Sequence, residues 1–451
     1  MWSGLSLWGE AMPEPISLDQ LITALFKQFQ LLLDHRTGQN NQYDIADAAK
    51  AAFSVFFTQS ASFLSHQQLM KQAKGRSNAE SLFQIGQIPC DNQIRTLLDP
   101  ISPRQLFGVF DVVYQQLEQA DVLSDFRVLD NQLLISLDGS GYFSSKTIHC
   151  QNCLHRTNSN DELTYYHTAI LPVIVCPGRN QVLCLTPEFI MPQDGHDKQD
   201  CERAAAKRWL KFQASHFEPY TVTLLGDDLY CNQPLCEVAL AQKFNFIFVC
   251  KPESHQILDE WLDFLAANQD IEQLQHRHWN GRFTELATYR FVNDVPLRGG
   301  DQALQVNWCE VTINHSKTGE QLYHNSFSTN HRLTEQTVVE VVKAGRARWK
   351  SENENHNVLK TKGYHLEHNF GHGKQYLASF LLTLNLLAFL FHTVLELADD
   401  QYRLLRQALG ARQTFFNDIR ALTRYLYFNS WPHLLTFMIQ QLEIQSQPDT
   451  G

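Results

Sequence analysis

At 451 residues, 43% hydrophobic and 19% charged, the chain is long enough for two or three domains with a large core, which excludes a disordered or fibrous protein. A formal net charge of −11 argues against nonspecific nucleic-acid binding by the whole surface and leaves only a local basic groove open to that role. The opening stretch MWSGLSLWGEAMPEP has no cationic start and no sustained apolar run, so no secretory signal is expected. Ten scattered cysteines fit a reducing, cytoplasmic setting.

Residues 1–131 read as a helical N-terminal domain, a packing module or a reader of DNA ends. Ser17 and Gln20 form a capping box for a helix through Leu33, and Arg36-Thr-Gly-Gln-Asn-Asn breaks it. A second helix is expected from Ile45 to about Leu64, with shorter ones at Asp91–Leu98 and Pro103–Leu117 around Pro100 and Pro103.

Over 132–255 the period changes. Leu133 to Leu137 is a continuous apolar run, as in a strand buried on both faces, and it ends in Asp138-Gly139. Tyr165–Cys176 and Gln181–Leu185 read as two more strands of a meander. A helix follows over 198–213, capped by Asp197. Thr221–Leu225 is a strand ending in Gly226-Asp227-Asp228, followed by a helix at Gln233–Lys243 and a strand at Phe244–Val249. Three strands, helix, strand, helix, strand is the order of a ribonuclease-H-like mixed sheet. Residues 256–333, with strand-like pieces at Thr288–Val292, Val306–Ile313 and Gln321–Ser326, read as a β-rich insertion. Residues 334–451 complete the core and add C-terminal helices. The apolar stretch Tyr376–Phe391 contains Ser379, Thr383 and Asn385 and falls short of the ~20 apolar residues a membrane span needs, so a core helix is expected.

One long helix is expected over 337–360. Between Lys343 and Lys374, Arg346, Arg348, Lys350, Lys360 and Lys362 add to the positive charge, against Glu352, Glu354 and Glu367. Arg348 and Glu352 are spaced to share a helix face. Two-metal phosphoryl transfer needs carboxylates that converge from separate elements on divalent ions, and hard oxygen ligands suit Mg²⁺. Asp138, either Asp227 or Asp228, and Glu352 are the candidates. Taken singly, each acid also fits a turn, a strand end or a solvated ion pair.

Taken together, these residues resemble a DDE transposase of the bacterial insertion-sequence type. That family has a ribonuclease-H-like core, and one subgroup carries a β-rich insertion before the helix of its third acid. The subgroup's Tyr-x2-Arg-x3-Glu-x6-Lys pattern matches at Arg348 and Glu352; Gly345 and Leu359 stand at its Tyr and Lys positions, with Lys360 one residue late. Tyr230, three residues after Asp227, favours Asp227 over Asp228. The resemblance implies that Asp138, Asp227 and Glu352 bind Mg²⁺ (or Mn²⁺), that Arg348, Lys350 and Lys360 grip phosphates, and that Trp349 stacks on a base. It implies cleavage of element ends and joining to target double-stranded DNA by a nucleoid-associated homodimer. Alternatives are a ribonuclease-H-like nuclease without strand transfer and an inactive, transposase-derived DNA-binding protein.

Cys150-x2-Cys153 is half of a zinc site and needs two more ligands. His167 and Cys201 are the candidates, with His155 a further option, for a structural Zn²⁺ beside Asp138. His365, His368 and His372 have ligand-like spacing, although each also reads as a packing or solvated histidine. The polar run Gln193–Asp200 is expected to face the site or to form a capped loop.

Overall fold

The structure, a computed structural model, describes residues 16–37, 42–69, 77–192 and 200–444. The expected Asp197 cap, the Gln193–Asp200 run short of its last residue, and most of the break after Arg36 lie outside those residues.

The N-terminal region is helical. Helix α1 (Leu18–Gln30) opens with the expected reciprocal Ser17–Gln20 box, at 3.3 and 3.0 Å. Helix α2 (Ile45–Phe57) stops earlier than its apolar pattern suggests. Thr58 and Ser60 turn their hydroxyls onto the buried His66, and Gln59 takes a left-handed φ of 51°, so the chain bends before α3 (Phe63–Leu69). Short helices α4 (Asn78–Phe83) and α5 (Asp91–Leu98) precede α6 (Phe107–Gln119), which follows a tight turn at Pro103–Leu106.

The rest is mixed α/β. Strand β1 (Leu133–Ser136) leads into β2 (Gly139–Ser145), β3 (Leu154–Thr157) and β4 (Leu163–Ile170). The single strand expected over Tyr165–Cys176 is two. Pro172 has no N–H for a ladder, so the chain leaves one sheet after β4 and enters another as β5 (Val173–Val175). Then come β6 (Leu183–Cys184), β7 (Glu188–Ile190), α7 (Glu202–Gln213), β8 (Val222–Gly226), α8 (Gln233–Ala241) and β9 (Asn245–Val249). The stretch after β9 opens with a helix, α9 (Gln256–Ala267), before four long strands: β10 (Glu272–Trp279), β11 (Thr284–Pro296), β12 (Gln305–His315) and β13 (Gln321–Thr329).

These strands do not form a layer of their own. Strand β13 pairs antiparallel with β9, and the result is one nine-stranded sheet in the order β10-β11-β12-β13-β9-β8-β1-β5-β6. Within it β1, β8 and β9 are parallel neighbours, while β5 runs antiparallel to β1. A second, four-stranded sheet pairs β4 with β2, β3 and β7.

The helix expected over 337–360 is broken into α10 (Val338–Arg346), a widened π turn at Ser351–His356 and α11 (Asn357–Thr361). Helix α12 (Leu377–Ala398) is long and apolar enough to cross a membrane, yet 94% of its most apolar window is buried inside the fold, as in a core helix. It packs against α2, where the Phe53 and Phe391 rings lie 5.7 Å apart. Helices α13 (Asp400–Leu409), α14 (Arg412–Tyr425) and α15 (Trp431–Gln441) close the fold, and Trp431 meets Phe57 at 5.2 Å, so N- and C-terminal helices share apolar contacts.

Candidate functional site

The pairing of Ser136 with Leu225 sets β1 and β8 in a register that brings Asp138 and Asp227 out together. Both acids leave the carboxyl ends of adjacent parallel strands, where open α/β sheets form their crevices. Asp138 is largely buried, its side chain 20% exposed, and its carboxyl is pushed up to about 7. Burial is the main cause; the Arg348 charge opposes it, and Glu202, Asp227 and Glu352 add to it. Four carboxylates therefore share one field, with Arg348 as the cation that counters it.

Asp227 and Asp228 face different partners. Asp227 accepts from the Leu229 amide at 2.9 Å, and its charge bears on Asp138, Glu202 and Tyr230. Asp228 turns elsewhere, accepting from the Lys251 amide at 2.7 Å with His255 Nε2 at 3.4 Å. Glu352 sits in the π turn, 54% exposed, and accepts from Arg348 Nη1 at 3.0 Å. Widened turns of this kind concentrate at functional positions.

Two members went unnoticed in the sequence. Glu202, in the first turn of α7, accepts from the buried Tyr230 hydroxyl at 2.7 Å and from the Gly139 amide, and burial raises its carboxyl. A Cβ on Gly139 would lie 2.4 Å from Glu202 Oε2, so glycine is what lets this carboxylate approach Asp138. The polar run just before α7 was the available signal. His356, also in the π turn, has Nδ1 3.7 Å from Asp138 Oδ2, and burial lowers it to about 4, so it stands neutral there.

The expected phosphate contacts divide. Lys350 is only 4% exposed, and its ammonium donates to the Arg179 carbonyl, so packing already engages it. Lys360 pairs with Glu367 at 2.9 Å. Trp349 is 45% exposed and is not the core aromatic that a buried helix face would give. With Lys343, Arg346, Tyr289 and Pro177 it lines a groove of about 420 Å³. The two departures from the transposase pattern have packing reasons. A Cβ on Gly345 would meet the Phe327 ring at 2.8 Å and Ile247 at 2.9 Å, and Leu359 is fully buried.

Cys150, Cys153 and His167 do come together, but Cys201 does not join them. It stands exposed at the N-cap of α7, held there by the start of that helix, and His372 takes the fourth place. His155 is exposed on β3, and His365 and His368 are exposed beyond α11. Among the described residues, the sets of three or more ligand atoms lying within 4.8 Å of one another are the Cys–His sets, so the acid group is spread more widely than that. The acids nonetheless fit hard divalent cations, because all are oxygen donors and the crowding of Glu202, Asp227 and Glu352 around Asp138 is what such a cation relieves. No protein-family model matches the chain, and no curated protein matches it.

Proposed function

We propose that the chain is a DDE-type DNA transposase with a ribonuclease-H-like core, cutting element ends and joining them to target DNA. The observation that carries this reading is the convergence of Asp138, Asp227 and Glu352 from two adjacent parallel strand ends and a helix onto one field. The strand order β6-β5-β1-β8-β9, two antiparallel pairings followed by two parallel ones, supports the fold assignment.

Asp138, Asp227 and Glu352 would hold Mg²⁺ or Mn²⁺, with Glu202 a fourth carboxylate at the same place. When bound, such ions activate a water or 3′-hydroxyl and stabilise the leaving oxygen. The chain's own residues prepare the site. Tyr230 and the Gly139 amide fix the Glu202 carboxylate, Arg348 orients Glu352, and neutral His356 seals the inner side of Asp138. Trp349, Lys343 and Arg346 supply an aromatic face and two cations in one groove, suited to holding a DNA strand. Paired ends would call for a homodimer.

The test is a labelled duplex carrying the DNA that flanks the coding region, incubated with Mg²⁺ or Mn²⁺. The parent cleaves at the ends and joins them to a second duplex, and Glu352→Gln loses both by on the order of 100-fold or more. Cleavage without joining would move the reading to a nuclease. Binding without cleavage in the parent would move it to an inactive DNA-binding descendant.

A further inference from the structure

We propose that Cys150, Cys153, His167 and His372 bind one structural Zn²⁺ ion, which clasps the second sheet to the segment between α11 and α12. All four ligand atoms lie within 4.8 Å of one another, and four of the six distances between them have the lengths of tetrahedral edges. Zn–S bonds of about 2.3 Å and Zn–N bonds of about 2.0–2.1 Å imply edges of about 3.8 Å between two sulfurs and about 3.6 Å between sulfur and nitrogen. The two Sγ atoms are 3.9 Å apart, His167 Nε2 lies 3.5 Å from each, and His372 Nε2 lies 3.6 Å from Cys153 Sγ. Thiol–imidazole hydrogen bonds account for single contacts of this length, and a shared metal ion accounts for all four at once. A soft S₂N₂ set of this shape selects zinc over harder divalent ions.

The surroundings are built for the purpose. The Cys150 amide donates to Cys153 Sγ at 3.4 Å, and the Cys153 amide returns to the Cys150 carbonyl at 3.2 Å, closing a tight knuckle. Both imidazoles are buried and are aimed by stacking, His167 on Tyr142 at 5.5 Å and His372 on Phe143 at 4.1 Å. The His372 loop is anchored independently, since Asp99 accepts from the Lys374, Gln375 and Leu377 amides and Asn152 donates to the Gln375 carbonyl. The clasp joins residues more than two hundred positions apart. It ties the sheet that begins at Gly139, next to Asp138, to the chain that follows the Glu352 turn. The inference stands on its own geometry and does not depend on the reaction proposed above.

The experiment is elemental analysis and zinc X-ray absorption on the full chain, purified in reducing, chelator-free buffer. The parent retains about one Zn²⁺ per chain, with two sulfurs near 2.3 Å and two nitrogens near 2.0–2.1 Å. Cys150→Ser with Cys153→Ser lowers the metal more than tenfold, while Cys201→Ser leaves it unchanged. Cys231→Ser also leaves it unchanged; that residue belongs to the separate Cys231–Cys250–His255 group. If the double variant does not fold, the ligand count in the parent decides. Three sulfurs and one nitrogen, no retained zinc, a Cys150–Cys153 disulfide in its place, or loss of zinc in Cys231→Ser would each overturn the proposal.

Discussion

Asp138 offers a test of the acid cluster that needs no substrate. Its carboxyl is held at about 7 against an ordinary 3.8. Between those values the folded chain keeps a proton that the unfolded chain has released. Fewer protons are bound in the unfolded state, so stability falls as pH rises from about 4 to about 7 and stays low above that. A shift of about three units, at about 1.4 kcal/mol each, sets an upper figure near 4 kcal/mol. With the side chain 20% exposed, water and local relaxation reduce this to roughly 2–3 kcal/mol. Asp138→Asn keeps the shape and removes the charge, so it resembles the protonated parent at low pH and outlasts the parent at high pH.

The assay is urea unfolding at pH 5 and pH 8 in buffer free of divalent ions and of chelator, which leaves the Cys–His centre undisturbed. Titrating groups elsewhere contribute equally to both proteins and cancel in the comparison. By pH 5 about a third of the fall has already occurred, so the variant's advantage over the parent should widen by roughly 1–2 kcal/mol between pH 5 and pH 8. Adding Mg²⁺ at pH 8 should recover the difference in the parent alone. Parallel pH profiles, agreeing within about 0.5 kcal/mol, would refute the burial of this carboxyl beside Glu202, Asp227 and Glu352.

Four further outcomes follow. Gly345→Ala should lower stability by about 1–3 kcal/mol in denaturant titrations, because the added Cβ meets Phe327 and Ile247 below 3 Å. Trp349→Ala should weaken single-stranded DNA binding by about 1–3 kcal/mol without moving the thermal midpoint, since the ring is exposed. Arg346→Ala should reduce the salt slope of DNA binding by about one, whereas Lys350→Ala should leave that slope alone and cost stability through its lost Arg179 contact. Tyr230→Phe should leave Glu202 without its hydroxyl donor and slow metal-dependent cleavage more than it weakens DNA binding, as read by kcat against KM.

Much of this was legible from local signals. The capping box of α1, the apolar run of β1 and the long core helix α12 each write their structure into consecutive residues, so period and cap chemistry were enough. Asp138 and Asp227 were legible for the same reason, as acids ending apolar strands. What escaped was set by distant partners. Nothing near Gly345 announces that β9 and β13 press against it, so the packing reason for its departure from the transposase pattern could not be read locally. Cys201 was named beside the Cys pair and His372 was not, because only the folded loop after α11 brings the histidine there. Strand β10 was missed because its residues are mostly exposed and carry no alternation.

The break at Glu352 shows how packing shapes the site. Residues four apart share a face in a regular helix, so Glu352 and His356 would point the same way. The π turn separates them. Ser351, Asn355, His356 and Leu359 all turn inward, and Asn355 reaches Cys184 on β6, while Glu352 stays at the mouth beside Arg348. Gly345 lays α10 flat against the sheet, and a straight continuation could not bury those four residues and also leave Glu352 free. The extra residue in the turn resolves that conflict. It gives the acid cluster one buried member, Asp138, whose proton is held by its surroundings, and one exposed member, Glu352, with access to solvent. That asymmetry would suit the proposed reaction, in which a charged strand reaches the outer side of the cluster while Asp138 stays largely buried.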